Sequence, residues 1–186
     1  MQSAKKSKRI RNIIKARHLS DAALAEKSRD RIINDEIKEH APIDILDGIS
    51  HKQRTIYVPT LEELIVQHCV VNALKPMFYK GMYEHSYASL PGRGSHKAKR
   101  VIEKWIRTDA KNVKYVLKMD IRHFFDSVPH NVLKAKLSKH IHDELMLDLL
   151  FKIIDATDAG IPLGFHTSQW LANWFLQGLD HYIKEQ

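Results

Sequence analysis

Asp120 is the residue in this sequence best placed to do chemistry. It closes the run Tyr115-Val-Leu-Lys-Met-Asp120 and is followed by Ile121-Arg-His-Phe124-Phe125-Asp-Ser-Val-Pro129. Val113, Tyr115, Leu117 and Met119 alternate with Lys114, Val116, Lys118 and Asp120, the two-residue period of a strand over Val113 to Ile121. A carboxylate at a strand end, then two aromatics and a turn into a helix, suits metal-dependent nucleotidyl transfer. Its oxygen would hold Mg²⁺ at roughly 2.0–2.1 Å, with substrate phosphates completing the shell. A pair of such ions activates an attacking hydroxyl and stabilises the leaving pyrophosphate. A lone strand-end aspartate also has a plainer use, capping the turn after it, and the residues alone leave both readings open.

A second segment draws notice about 40 residues on: Gly160-Ile-Pro-Leu-Gly164-Phe-His-Thr-Ser168-Gln-Trp-Leu-Ala-Asn173. A glycine-containing loop that opens a helix brings backbone donors close to a ligand or a template strand. Taken singly it is also an ordinary helix entry. Other metal chemistry finds less support. None of the 12 histidines forms a pair with zinc-site spacing beside acids. The lone Cys69 excludes an intrachain disulfide and a cysteine-based zinc site, and its apolar helical surroundings predict a buried structural thiol.

The elements that must position these residues are short and mixed. Residues 20–40 are polar and helical in pattern, with Ile32, Ile33 and Ile37 as a thin apolar stripe, and Pro42 and Gly48 bracket a loop. Arg54-Thr-Ile-Tyr-Val-Pro59 alternates with β-branched residues, a short strand ended by Pro59. Thr60 and Glu63 form a capping box for a helix through about Leu74, with Leu61, Leu64, Ile65, Val71 and Leu74 on its apolar face and Pro76 as its stop.

Pro91-Gly92-Arg93-Gly94 is a turn. Behind it Ala98, Val101, Ile102, Trp105 and Ile106 recur at helical spacing. Lys97, Lys99, Arg100, Lys104 and Arg107 fill much of the rest, either as a solvated face or as a track for phosphates. Ser127 and Pro129 signal a helix start, two helices fill 129–155, and a last helix carries Leu171, Trp174, Phe175, Leu179 and Tyr182 on one stripe. Strands and helices without regular βαβ alternation predict an α+β fold rather than a doubly wound sheet.

Charge is unevenly spread. The net charge is +8, and residues 1–17 supply seven of the positive charges with no acid, leaving the remainder close to neutral. Such a basic leader suits phosphate contacts and counterion release, and it is equally the composition of a solvated tail. No apolar run long enough to span a membrane occurs, and the basic start lacks a signal-peptide core, so a cytoplasmic protein with no membrane partner is expected.

In this order, the segments resemble the motifs of reverse transcriptases, RNA-directed DNA polymerases. Asp120 and its surroundings are similar to the first palm motif, and Gly160–Asn173 to the second. Arg54-Thr-Ile-Tyr-Val-Pro59 resembles the fingers motif that holds the incoming triphosphate. Ser86-Tyr-Ala-Ser-Leu-Pro91-Gly-Arg-Gly94-Ser-His-Lys-Ala98 resembles the fingers motif that follows it.

The resemblance covers about residues 51–183. It implies a basic helical extension over 1–50, fingers over 51–110 and part of a palm over 111–186, helix-rich with a small antiparallel sheet. It implies Asp120 as the catalytic aspartate and metal ligand, Ile121 as a main-chain ligand to the same Mg²⁺, and Lys52 and Arg54 on the triphosphate. Phe125 becomes the steric gate against a ribose 2′ hydroxyl, and Leu163 and Gly164 lie beside the nucleotide. Arg93 and Ser168 would contact template or primer. The implied partners are template RNA, a DNA primer and dNTPs.

Two departures refine that expectation. Many reverse transcriptases carry glutamine before the glycine of the second palm motif and close it Ser-Pro. Here Leu163 precedes Gly164, and Ser168-Gln169 closes the motif. That pattern resembles the diversity-generating retroelement branch, whose enzymes misincorporate opposite template adenine and work with a small accessory protein. The family also carries paired aspartates on a strand beyond this motif. No Asp-Asp pair occurs in the sequence, so the chain reads as a fragment ending before it, inactive alone. Competing expectations are a non-catalytic RNA-binding module with a palm-like fold, or an intron-type or defence enzyme.

Overall fold

A capping box at Thr60 opens the helix around which the core is built. In the computed structural model, which describes residues 12, 15, 20–34, 40–46, 48 and 53–185, the elements run α1 (Asp21–Ile33), β1 (Pro42–Leu46), β2 (Gln53–Tyr57), α2 (Leu61–Tyr79), α3 (Ser95–Thr108), α4 (Phe124–Ser127), α5 (His130–Ser138), α6 (Glu144–Ile154) and α7 (His166–Glu185). Most of the basic leader, Ile37 and Lys52 lie outside the described residues. Among the described residues the fold is helix-rich with one antiparallel two-stranded sheet.

Thr60 Oγ1 accepts from the Glu63 amide at 3.3 Å, and Glu63 Oε2 accepts from the Thr60 amide at 2.8 Å. Two orphan donors at the helix start are thereby satisfied. Glu63 is only 3% exposed, and a buried carboxylate is costly without partners. His40 Nε2 faces it at 2.8 Å and Arg31 Nη1 at 3.5 Å, which joins α1 and the segment just before β1 to α2.

Helix α2 does not stop at Pro76 but continues to Tyr79. An interior proline costs about 3 kcal/mol through its lost N–H and its ring. Phe78, 1% exposed, sits between Trp170 and Trp174, with ring centroids 5.8 and 6.3 Å away. Burying such a side chain contributes roughly 1.5–3 kcal/mol, and Leu74 adds to it, so tertiary packing carries the helix past the break. Cys69 is exposed rather than buried, because α2 turns Val66 and Val70 to the core and position 69 away from it.

Helix α7 lies against α2, and α5 against α6. Val66, Val71, Phe78, Leu133, Leu137, Leu150, Ile154, Leu171 and Trp174 belong to one apolar core. The predicted stripe of α7 is buried at Leu171 and Trp174, whereas Leu179 and Tyr182 near its end are exposed. The two helices expected within 129–155 are α5 and α6.

Four further expectations need correction. Residues 42–48 are not simply a loop: Pro42–Leu46 pairs antiparallel with β2, Ile45 opposite Arg54. Proline is tolerated at a strand's first residue, and Asp44 accepts from both Gln53 and Thr55 across the pair. In α1 the buried side chains are Leu24 and Ser28, while Ile32 and Ile33 are exposed. The stripe of α3 is likewise largely exposed, with Ile102 at 49% and Ile106 at 48%.

The strand expected over Val113 to Ile121 does not form; the segment is irregular and exposed. Alternation alone cannot make a strand, because its N–H and C=O groups need a neighbouring ladder. Among the described residues β1 and β2 pair only with one another, and no strand lies beside 113–121.

Candidate functional site

The Gly160–Gly164 loop is fastened to three separate parts of the fold. At its start, Ile161 N–H donates to Phe125 O at 2.8 Å. Gly160 has φ +72, and a Cβ there would lie 2.3 Å from Phe125 O and 2.6 Å from the Asp126 Cα. At its end, Tyr57 N–H donates to Leu163 O at 2.7 Å, and a Cβ on Gly164 (φ +111) would lie 2.4 Å from Tyr57 O. Both glycines are required twice over, by left-handed backbone and by direct backbone approach.

The third attachment is to α2. The His166 amide donates to Gln67 Oε1 at 2.7 Å, and the His166 ring stacks on His68 with centroids 3.8 Å apart. Burial first, then the neighbouring His68 and Lys75, lowers the His166 pKa to about 4, and burial also lowers that of His68. A proton on either ring would set a second cation against its neighbour in a partly dry site.

These ties bring β2, α4 and the loop around a cavity of about 420 Å³. Arg54, Phe125 and Leu163 line it, and so do Gln53, Thr55, His123, Phe124, Asp126 and Gln169. Gln53 and Thr55 also hold Asp44 across the sheet. Phe125 and Phe124 are half-buried and meet edge to face at 5.8 Å. Apolar rings, one strand guanidinium and a few polar groups suit an amphipathic phosphorylated ligand.

His123 was not legible as a cavity residue. It takes φ +51, an uncommon conformation that His adopts more readily than most side chains, and it turns the chain from the irregular segment into α4. Its Nδ1 lies 3.5 Å from Asp126 Oδ2. Gln169 is one helical turn beyond Phe165 and was hidden by its role as a motif ending.

The other predicted residues are placed differently. Asp120 and Ile121 are exposed in the irregular segment, and the Asp120 carboxylate makes no hydrogen bond or ion pair with the described residues. Among those residues, no group of three or more His, Cys, Asp or Glu side chains gathers to hold a metal. Ser168 is 1% exposed and donates to Pro162 O at 2.7 Å, so its hydroxyl braces the loop from inside. Arg93 Nη1 donates to the carbonyls of Tyr83, Glu84 and Ser86 at 2.8–3.2 Å, which fixes the preceding turn. That turn is bound to α7 in its turn: Ser86 Oγ donates to Asp180, and Asn173 Nδ2 to Ala88 O. No helix among the described residues is long and apolar enough to cross a membrane.

Several known proteins are similar in sequence to this chain. Protein YkfC of Escherichia coli strain K12 is 29% identical over 147 residues, covering 73% of this chain and 38% of its own length. The group II intron-encoded protein LtrA of Lactococcus lactis subsp. cremoris is 26% identical over 144 residues, 72% of this chain and 23% of the relative. The retron Ec73 reverse transcriptase of Escherichia coli is 27% identical over 142 residues, 72% of this chain and 42% of the relative. The chain thus spans less than half the length of each. Residues 37–186 match the family described as reverse transcriptase (RNA-dependent DNA polymerase), and the chain belongs to that family.

Proposed function

We propose that this chain is the fingers and first part of the palm of an RNA-directed DNA polymerase that copies template RNA from a DNA primer. In this reading residues 51–110 are fingers, 111–186 are palm, and 1–50 are a basic extension that follows the nucleic acid. The observation that carries it is the shared cavity of Arg54, Phe125 and Leu163, three residues distant in sequence. Arg54 would grip the triphosphate, since guanidinium matches phosphate oxygens with paired hydrogen bonds. Lys52 would assist. Phe125 would fill the space a ribose 2′ hydroxyl needs, and Leu163 with the Gly164 backbone would lie beside the nascent base pair.

Asp120 and the Ile121 carbonyl offer two oxygens to a cation. They are compatible with Mg²⁺ that takes the rest of its shell from water and substrate phosphates, and by themselves they do not make a closed site. When bound, the ion would neutralise phosphate charge and favour ionisation of the primer hydroxyl. Arg93 and Ser168 act in this reading by shaping the turn and loop that meet template and primer.

The names of the intron and retron relatives favour those lineages. Leu163 with Ser168-Gln169 favours a diversity-generating enzyme with an accessory protein, and the error spectrum at template adenine separates the two. The general reading is tested by primer extension on RNA with Mg²⁺ and dNTPs, using the complete protein that carries this chain. Asp120→Asn should abolish extension with stability unchanged within about 0.5 kcal/mol, because its exposed carboxylate has no partner to lose. Near-normal extension by the folded variant would overturn the assignment.

A further inference from the structure

We propose that His130, held by Asp155, is a positioning residue that sets where the Phe125 backbone stands in the nucleotide cavity. The inference rests on the reading of that cavity as the nucleotide site. His130 is the first residue of α5, and its ring spans two acceptors. Nε2 lies 2.5 Å from Gly160 O, and Nδ1 lies 3.1 Å from Asp155 Oδ1. A carbonyl oxygen can only accept, so Nε2 is the donor in the bond to Gly160 O. Lys134, one turn further along α5, reaches the other oxygen of Asp155 at 2.5 Å. The carboxylate is thus held from two points of one helix.

Gly160 is the joint through which this arrangement reaches the cavity. Its carbonyl takes the His130 bond, and the next amide, Ile161 N–H, donates to Phe125 O at 2.8 Å. On the other side, Gly160 touches the Phe125–Asp126 backbone so closely that no Cβ would fit. The second donor to Gly160 O, the Thr157 hydroxyl at 3.4 Å, is too far away to hold it alone. Asp155, His130, Gly160 and Phe125 therefore form one chain of contacts, from the end of α6 to the aromatic wall of the cavity. A wall that excludes one hydroxyl must be held within a fraction of an ångström, because a small shift opens or closes that space. The hydrogen-bond partners of His130 are Gly160 and Asp155, so it acts through Gly160.

The test uses the complete protein that carries this chain, with two readouts. In His130→Ala, amide exchange at Ile161 should accelerate by about tenfold or more while the Leu133 and Leu171 amides keep their protection. The preference for dNTP over NTP in primer extension should fall by about tenfold, chiefly through a lower KM for NTP. His130→Gln, which can still donate to Gly160 O, should recover much of both. Unchanged exchange at Ile161 in His130→Ala would overturn the proposal. So would an unchanged sugar preference in a protein where Phe125→Ala relaxes it, and the nucleotide reading would then survive. A complete protein that does not polymerise, or whose Phe125→Ala variant keeps its preference, overturns the nucleotide reading and the role of His130 with it.

Discussion

Tyr57 N–H donates to Leu163 O at 2.7 Å, so a residue of the sheet and a residue of the loop before α7, 106 positions apart, share a backbone hydrogen bond. The bond extends the β2 edge onto the loop and fixes the side of the cavity that carries Leu163. Close approach is possible because the next residue, Gly164, has no side chain.

Gly164→Ala should therefore be among the most damaging small substitutions. Left-handed backbone costs an alanine about 1–2 kcal/mol, and a Cβ 2.4 Å from Tyr57 O must move a backbone rather than a side-chain tip. A total of about 3 kcal/mol is expected, a fall in Tm of roughly 6–12 °C for a chain of this size. Gly92→Ala is the control. It has φ +71 but nothing within 4 Å, so only the backbone part remains and Tm should fall by roughly 2–8 °C. Equal losses at the two positions in thermal melts would remove the close-approach argument.

How much of this was readable in advance follows from the range of the forces. The Thr60–Glu63 box, the turn at Gly92 and the helices over 129–155 rest on local bonds and spacing, and they formed where expected. Helix α2 passed Pro76 because Phe78 meets two tryptophans from α7, a contact roughly 95 residues away in sequence that no local pattern contains. The segment 113–121 has the pattern of a strand but no described partner, so its alternation had nothing to act on. In the candidate site, Arg54, Phe125 and Leu163 were legible as residue types in motifs. His123, Gln169 and the His130–Gly160 contact were not, since each depends on how the loop closes over α4.

The paired rings of His68 and His166 predict how stability changes in mild acid. The folded His166 pKa lies near 4 and that of the unfolded chain near the ordinary value of 6.5. Between those values the unfolded chain binds more protons, so stability rises with pH through that window. It is fully present above about pH 6.5 and is lost progressively as pH falls toward 4; His68, also lowered, adds in the same direction. Urea midpoints measured from pH 7.5 to 4.5 should drop, and His166→Phe, which keeps a ring against His68, should flatten the drop. A variant as acid-sensitive as the parent would place the effect elsewhere.

Phe125→Val should open the cavity to ribonucleotides. The ring is half-buried, lines the cavity and meets Phe124 edge to face. Overlap in a packed site costs on the order of 1–3 kcal/mol, so removing the ring should cut the preference for dNTP by about tenfold or more. Some stability is also lost with the ring, and melts of the variant separate that from selection. Primer extension by the complete protein with each nucleotide checks the outcome. A retained parental preference would move the gate to Phe124.

Leu163→Gln tests what the loop contributes to accuracy. Leu163 lines the cavity with an aliphatic side chain, while its own carbonyl is held by Tyr57. That side chain cannot hydrogen-bond to a nucleotide or order polar groups around it, so a correct pair gains less over a mismatch than it would beside an amide. A single hydrogen bond contributes about 0.5–1.5 kcal/mol net, and 1.4 kcal/mol is a factor of ten, so one polar contact is enough to change an error ratio severalfold. Because the carbonyl bond to Tyr57 is made by the backbone, the substitution should leave the loop in place. Copying a defined RNA with the complete protein and its Leu163→Gln variant, then sequencing the products, should show fewer errors in the variant. In a diversity-generating enzyme the gain should concentrate opposite template adenine. A parent already accurate at adenine would favour the intron or retron lineages and leave the polymerase reading intact. An error-prone parent whose spectrum Leu163→Gln does not alter would place the source of error on the other walls of the cavity, where Gln169 is one polar candidate.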